Sequence, residues 1–390
     1  LIKEGRQMEY GIRSSIASLD KVSYAEDKHA LLTPDHLIDC SIGTNPFGFS
    51  NEVARSLKTL PLDIINLYPE SSDDLKEAIA DFWKGIIPLR RSQILLGHGS
   101  IELIYKVNKM FIEEKSTVLG YSPQFPDYIN DARTLGGQYD CYLLDKENNF
   151  RFCPEKFIAR LRKGINLVYI DNPNNPTGQV IALHDLEAIA HQADTLGIPM
   201  IIDEAYGDFL PASASAVSLL DRYNHLMILR SFSKGLGLAG IRGGYIVTSD
   251  RLAEQYTKIS NPYEMSGIAR YLAIASLRDR NFMEDCGPKL QMNKKRFMAS
   301  LTRLNVLETD LSVPIMTISH PDAHVDLQEL LRRHRILTVS GESFIGLDKS
   351  FVRLRIPKDI DALMDAFWLI EKEMEPCGSG KAKVGYEFEL

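Results

Sequence analysis

Ile198-Pro199-Met200-Ile201-Ile202-Asp203-Glu204-Ala205-Tyr206 is a short apolar run closed by two acids and a tyrosine. A brief apolar run bounded by polar residues reads as a strand buried on both faces. The pattern repeats on either side. Upstream, Leu167-Val168-Tyr169-Ile170 leads into Asn172-Pro173-Asn174-Asn175-Pro176-Thr177-Gly178, and downstream stand Ser231-Phe232-Ser233-Lys234 and then Arg242. Three consecutive polar clusters, each closing a strand, predict one shared crevice, because open α/β sheets gather functional groups at their strand carboxyl ends. From Gln93 to about Arg280 strand-like and helix-like segments alternate, which predicts an α/β fold with a mostly parallel sheet sandwiched by helices.

Outward from this centre, residues 37–42 read as a short strand before the turn Asn45-Pro46-Phe47-Gly48, and a helix is expected from about Asn51. Leu67-Tyr68-Pro69-Glu70 reads as a loop. Asp73 and Asp74 then open a helix with Leu75, Ala78, Ile79, Phe82 and Trp83 at helical spacing, predicted to pack on the sheet. Beyond the alternating region come a helix over 291–304, strands over 313–319, 336–339 and 351–356, and a final helix over 358–374. At 390 residues the chain exceeds one ordinary core. The expected division is a large domain over 51–280 and a smaller α+β domain over 281–375, joined by the segment 1–50. The tail 376–390, rich in Gly, Ser and Lys, is expected to be flexible.

A net charge of −7 with 25% charged residues, without a basic stripe, argues against nucleic acid as a partner. No apolar run is long enough to span a bilayer, and no signal-peptide order is present, so a cytoplasmic location is expected. Cys40, Cys141, Cys153, Cys286 and Cys377 never form a C-x-x-C pair, and His184 and His191 suit a solvated helix face better than a metal site. No metal is expected.

Lys234 can act as an amine nucleophile if burial or nearby cations favour its neutral form, and Arg242 supplies such a cation. Alone, Ser-x-Ser-Lys is as often an ordinary helix start. In company with the strand-end clusters it reads as the anchor of pyridoxal phosphate. Asp203 suits the cofactor's ring nitrogen, which a nearby carboxylate keeps protonated, although Asp-Glu is also a magnesium-pair pattern. Tyr206 and Asn175 are candidate donors to the ring oxygen, while Asn-Pro pairs also serve as plain turn chemistry. Gly97-His98-Gly99-Ser100, between a strand and a helix, offers free backbone N–H groups to a phosphate. Ser231, Ser233 and Arg242 complete that cup. Phe125 could stack on the ring or serve as a core aromatic.

Gly235-Leu236-Gly237-Leu238-Ala239-Gly240 spells a dinucleotide fingerprint, but Arg242, Gly243 and Gly244 lead straight into another strand. These glycines read instead as permitting close backbone approach. Arg353 and Arg355, two apart on a predicted strand, share a face; either could grip a substrate carboxylate or guard an exposed edge.

With these residues placed, the chain resembles the fold type I pyridoxal phosphate enzymes of the aminotransferase class I/II group over most of residues 35–372. It looks most like the histidinol-phosphate aminotransferase branch, with the threonine-phosphate decarboxylases close behind. The resemblance rests on Asn45-Pro46-Phe47-Gly48, Leu67-Tyr68-Pro69-Glu70, Asn174 through Gly178, Asp203 through Tyr206, and Ser231 through Lys234 with Gly240-Ile241-Arg242-Gly243-Gly244-Tyr245. It implies that Lys234 holds the cofactor as a Schiff base, that Gly99, Ser100 and Ile101 border it, and that Asn45 and Arg353 meet the substrate. It further implies a homodimer in which Tyr68 reaches the neighbouring subunit's cofactor phosphate. The implied partners are a small-molecule amino donor and a keto-acid acceptor. Gly43-Thr44 in place of Asn-Glu, Ile101 in place of Asp, and Arg355 in place of a small polar residue depart from the pattern, leaving a specialised enzyme acting on a modified amino acid as a third reading.

Overall fold

A computed structural model describes residues 11–19, 37–69 and 71–374. The predicted tail 376–390 lies outside the described residues, as do Glu70 and much of the segment 1–50. The strands are β1 (Ile38–Asp39), β2 (Ile94–Gly97), β3 (Thr117–Ser122), β4 (Gln138–Leu143), β5 (Ile165–Asp171), β6 (Met200–Asp203), β7 (Leu226–Ser231), β8 (Gly244–Thr248), β9 (Asn305–Val306), β10 (Ile315–Ser319), β11 (Ile336–Leu337), β12 (Val339–Ser340) and β13 (Phe351–Arg355).

The central sheet runs β2-β8-β7-β6-β5-β3-β4. Every pair is parallel except those made by β8, which is antiparallel to β2 and β7. Its strands are apolar on both faces for a simple reason. Ile170, Ile202 and Ile228 pack into one core, whereas Tyr169, Ile201 and Met227 pack into a second on the opposite face. The period-two alternation of a strand thus divides one apolar run between two helical layers. It also decides the aim of the terminal acids, since Asp171 and Asp203 fall on the face of Tyr169 and Ile201.

Register brings the strand ends level. Asp171 pairs across to Asp203 and Asp203 to Leu229, and two rows further Ser231 pairs with Gly244, which pairs with Gly97. Because β2 and β7 run the same way, the loop after Gly97 emerges at the same edge as the three polar clusters. The helix Asn51–Lys58 begins as expected, with the Ser50 hydroxyl accepting from Val53 N at 3.3 Å. The helix Asp73–Trp83 buries Leu75, Ile79 and Trp83, and Trp83 Nε1 donates to Tyr245 Oη on β8 at 3.1 Å.

A second, four-stranded antiparallel sheet has the order β12-β13-β10-β9. It packs with the helices Asn281–Ser300 and Asp361–Glu373 around its own core, which includes Leu290, Phe297, Ile315 and Phe367. β1 pairs in parallel with β11, so the amino-terminal segment does meet this layer. Two details differ from the sequence reading. The helix expected at 291 begins ten residues earlier, at Asn281, and runs through Pro288. Burial of Cys286, Leu290, Asn293 and Phe297 along one face outweighs the bond that proline cannot make. The strand expected over 336–339 breaks at Thr338 into β11 and β12, which join different sheets.

Lys294 ties this layer to the large one. Its ammonium is fully buried and donates to Thr309 Oγ1 and Asp310 O at 2.6 Å, Val313 O at 2.8 Å and Ile315 O at 2.9 Å. The loop it gathers abuts the turn after β5: Asp310 N donates to Gly178 O at 2.9 Å, and Thr317 Oγ1 to Pro176 O at 3.0 Å. Removing the amine leaves buried carbonyls short of a donor, so Lys294→Met is expected to cost about 3 kcal/mol in urea unfolding. A loss below about 1 kcal/mol would show that these carbonyls find other partners.

Candidate active site

Asp171, Asp203 and Ser231, the last residues of three adjacent strands, line a cavity of about 240 Å³ together with Lys234. The crevice expected at the strand carboxyl ends is therefore present, and the expected residues Ser100, Ile101, Phe125, Asn175, Tyr206, Ser233 and Arg242 line it as well.

Lys234 follows β7 on a turn held by Asn45 from both sides. Asn45 N donates to Lys234 O at 3.0 Å, and Asn45 Nδ2 donates to Gly235 O at 2.7 Å. Asn45 does not line the cavity; the structure places it as a clamp on the lysine's backbone. Past the lysine, Gly237 has φ +73° and a Cβ there would lie 1.9 Å from Gly48 O. The glycine run thus allows two backbones to touch, and it leads into the short turn Ala239–Ile241 rather than a dinucleotide-type helix.

Beneath the lysine, Asp203 accepts from Tyr169 Oη at 2.5 Å and from Ala205 N at 2.9 Å. Burial pushes its pKa up to about 6, and the neighbouring Asp171 adds to the rise, against the hydrogen bonds and the Lys234 charge. Glu204 faces the other way, accepting from Arg230 Nη1 at 2.8 Å and from Ser215 Oγ at 2.5 Å. Arg230 also pairs with Asp208. The Asp-Glu pair is thereby split between the cavity and a buried ion network under the Lys234 loop.

Opposite Asp203, the Tyr206 hydroxyl is buried without a hydrogen-bond partner, and Lys234 Nζ stands 5.4 Å from the tyrosine ring centroid. A Cβ at Gly43 would lie 2.0 Å from that hydroxyl, so the departure at 43 is what leaves Tyr206 its place. Arg242 takes a left-handed backbone, φ 54°, uncommon for a residue with a side chain and a recurrent feature of functional sites. Its guanidinium packs against Gly99, where a Cβ would fall 2.7 Å from Nη2. Ser100, Ser231, Ser233 and Arg242 thus line one cavity with Asp203 and the unpaired Tyr206 hydroxyl, whereas the His98 N–H expected to be free is taken by Glu102 Oε2 at 2.6 Å. The chemistry of this donor set fits pyridoxal phosphate.

Not every expected residue reaches the cavity. Arg353 is fully buried behind it, donating to Ser41 O and, at 3.4 Å, to Asn175 Oδ1. Arg355 shares the face of β13 and donates to Asp39 O at 2.8 Å. Neither guards an open edge, because β13 lies between β12 and β10. Tyr68 is exposed and stacks on Tyr263 with ring centroids 4.7 Å apart. Asp127, Asp171, Pro173, Ala205 and Ala239 line the cavity without having been singled out in the sequence. Asp171 could have been found: it ends its strand as Asp203 does, one residue before the cluster that begins at Asn172.

A family model described as aminotransferase class I and II matches residues 35–367. The histidinol-phosphate aminotransferase of Natronomonas pharaonis is 33% identical over 254 residues, covering 65% of this chain and 69% of that protein. The crystal structure of the histidinol-phosphate aminotransferase from Clostridium acetobutylicum is similar with a TM-score of 0.77 at 25% identity, covering 87% of this chain and 100% of that one. The enzyme of the same name from Sinorhizobium meliloti, solved in complex with pyridoxal-5'-phosphate, is similar in fold with a TM-score of 0.78 at 22% identity, covering 94% and 99% respectively.

The Asp203 environment generates a pH-dependent test. The folded-state carboxyl titrates near 6 against an ordinary value of 3.8, so its protonated form favours the fold at low pH. That contribution, roughly 3 kcal/mol, is present below about pH 4 and is lost as pH rises through about 6. In cofactor-free protein, Asp203→Asn should therefore gain roughly 3 kcal/mol on the natural chain between about pH 4 and pH 7.5, as read by urea unfolding. A difference that does not change with pH would contradict a buried acid of raised pKa.

Proposed function

This chain belongs to the aminotransferase class I and II family, and from that premise we propose that it moves the amino group of a phosphorylated amino alcohol, of the histidinol phosphate kind, to a keto acid. The chain is a pyridoxal phosphate-dependent aminotransferase; the substrate is the proposal, supported by the names of its relatives. The observation that carries it is Lys234 standing in one cavity with the buried Asp203 and the unpaired Tyr206 hydroxyl.

Bound pyridoxal phosphate supplies an electron sink for the pair released at the substrate's Cα. The residues do the rest. Asp203, ionised by a cationic partner, holds the ring nitrogen protonated, and its own raised pKa measures how strongly the site wants that partner. Tyr206 and Asn175 donate to the ring oxygen. Ser100, Ser231, Ser233 and Arg242 hold the phosphate with the N–H groups of Gly99 and Ser100 at the helix start. Phe125 covers one face of the ring. Lys234 takes the proton from the substrate's Cα and passes it to the carbon on the far side of the amino nitrogen, a transfer that needs one amine able to reach both. Arg353 braces Asn175 from behind the cavity, with Arg355 beside it on the same strand.

The chain acts in the cytoplasm as a homodimer, with Tyr68 offered to a neighbouring copy. In favour of the dimer, Leu62, Ile65, Leu67, Tyr68 and Tyr263 are all strongly exposed in the region around the Tyr68–Tyr263 stack, more apolar surface than a monomer usually shows. No helix among the described residues is long and apolar enough to cross a membrane.

The test is turnover. Supplied with histidinol phosphate and 2-oxoglutarate, the holoenzyme is expected to form glutamate, with no carbon dioxide and no product in the absence of acceptor. Carbon dioxide released from threonine phosphate without any keto acid would replace transamination by decarboxylation, and glutamate formed only from other amino donors would overturn the substrate.

A further inference from the structure

We propose that Asp171 is a positioning residue of the reaction: its carboxylate fixes Phe125 and Asn175, the two groups assigned to the face and the edge of the cofactor ring, relative to one another. The inference rests on the cofactor reading given above. Asp171 is almost wholly buried at the end of β5 and lines the cavity. Its Oδ2 accepts from the backbone N–H of Asn175 at 3.0 Å and of Phe125 at 3.4 Å. Its Oδ1 accepts from Gln124 Nε2 at 2.9 Å and Asn174 Nδ2 at 3.1 Å. One side chain thus gathers four donors from two loops that share no backbone hydrogen bond of their own, the loop after β3 and the loop after β5.

Each loop is braced behind the donor it presents. Gln124 accepts from Tyr128 Oη at 2.6 Å, and Asn174 Oδ1 accepts from Thr177 Oγ1 at 2.5 Å. The carboxylate is therefore the main joint between the two loops, beside one direct bond in which Asn174 Nδ2 donates to Pro123 O at 3.1 Å. A neutral acceptor with one oxygen cannot serve four donors, so an amide in its place turns an N–H group toward at least one of them. The two loops would then part, and a small displacement at a reacting centre is enough to cost a large rate factor.

The experiment compares natural holoenzyme with Asp171→Asn, Asn175→Ala and the double variant. The readouts are the induced circular dichroism of bound pyridoxal phosphate, kcat, and KM for the amino donor. Asp171→Asn is expected to lose about half or more of the induced signal and to lower kcat roughly tenfold, with KM changed by less than about threefold. The double variant should fall below Asn175→Ala by clearly less than the loss in Asp171→Asn alone, because the part of that loss that acts through Asn175 is already spent and only the Phe125 part remains. Should the amide variant not fold, Asp171→Ser, smaller and still an acceptor, carries the same expectation. Full induced signal at cofactor saturation, or losses that simply add in the double variant, would overturn the proposal. Failure of the natural chain to bind pyridoxal phosphate would instead overturn the functional reading beneath it.

Discussion

Burying two carboxylates at the ends of adjacent strands sets the terms for everything around them. Asp171 and Asp203 sit level in the sheet on one face, where burial raises the pKa of both and Asp171 adds to the rise at Asp203. The two are resolved differently. Asp171 meets four neutral donors, enough to leave it satisfied within the protein. Asp203 meets two and keeps an acid held near 6, so it is the one left wanting a cation from the cavity. A protonated ring nitrogen is the partner proposed for it, since a nearby cation favours the ionised carboxylate.

The fold serves this arrangement in layers. Alternation along β5 and β6 divides their apolar residues between two cores and leaves both acids on the same side. Reversal of β8 allows the Gly97 turn to open at the same edge as Ser231, so two segments distant in sequence meet there. The second sheet closes the other side through contacts that begin at Lys294, pass through Thr317 and Pro176, and stop at the turn carrying Asn175. Arg353 ends the same route, donating to Asn175 from behind.

Much of this was legible in the sequence because the decisive signals are local. A polar cluster closing an apolar run is written in consecutive residues, and Asp203, Asn175, Ser231, Ser233, Lys234 and Arg242 all came from such clusters and all line the cavity. What was illegible is carried by contacts between distant segments. Nothing near Asn45 announces that its amide clamps Gly235, nor does the Arg353 strand reveal that its guanidinium is buried against Ser41. The helix start at Asn281 was missed for the converse reason: Pro288 lacks a backbone donor, and only packing on Phe297 and its neighbours offsets that loss. Tyr68 lies between these cases, recognisable by its motif yet turned toward solvent and Tyr263.

The central claim is that one amine, Lys234, holds the cofactor above a buried acid. Its most direct test is borohydride reduction of the protein after incubation with pyridoxal phosphate, followed by peptide mass mapping. The account predicts a visible band that reduction abolishes, with the added mass confined to the peptide containing Lys234. Protein that stays colourless, or a label found on other lysines and not on this one, would contradict it.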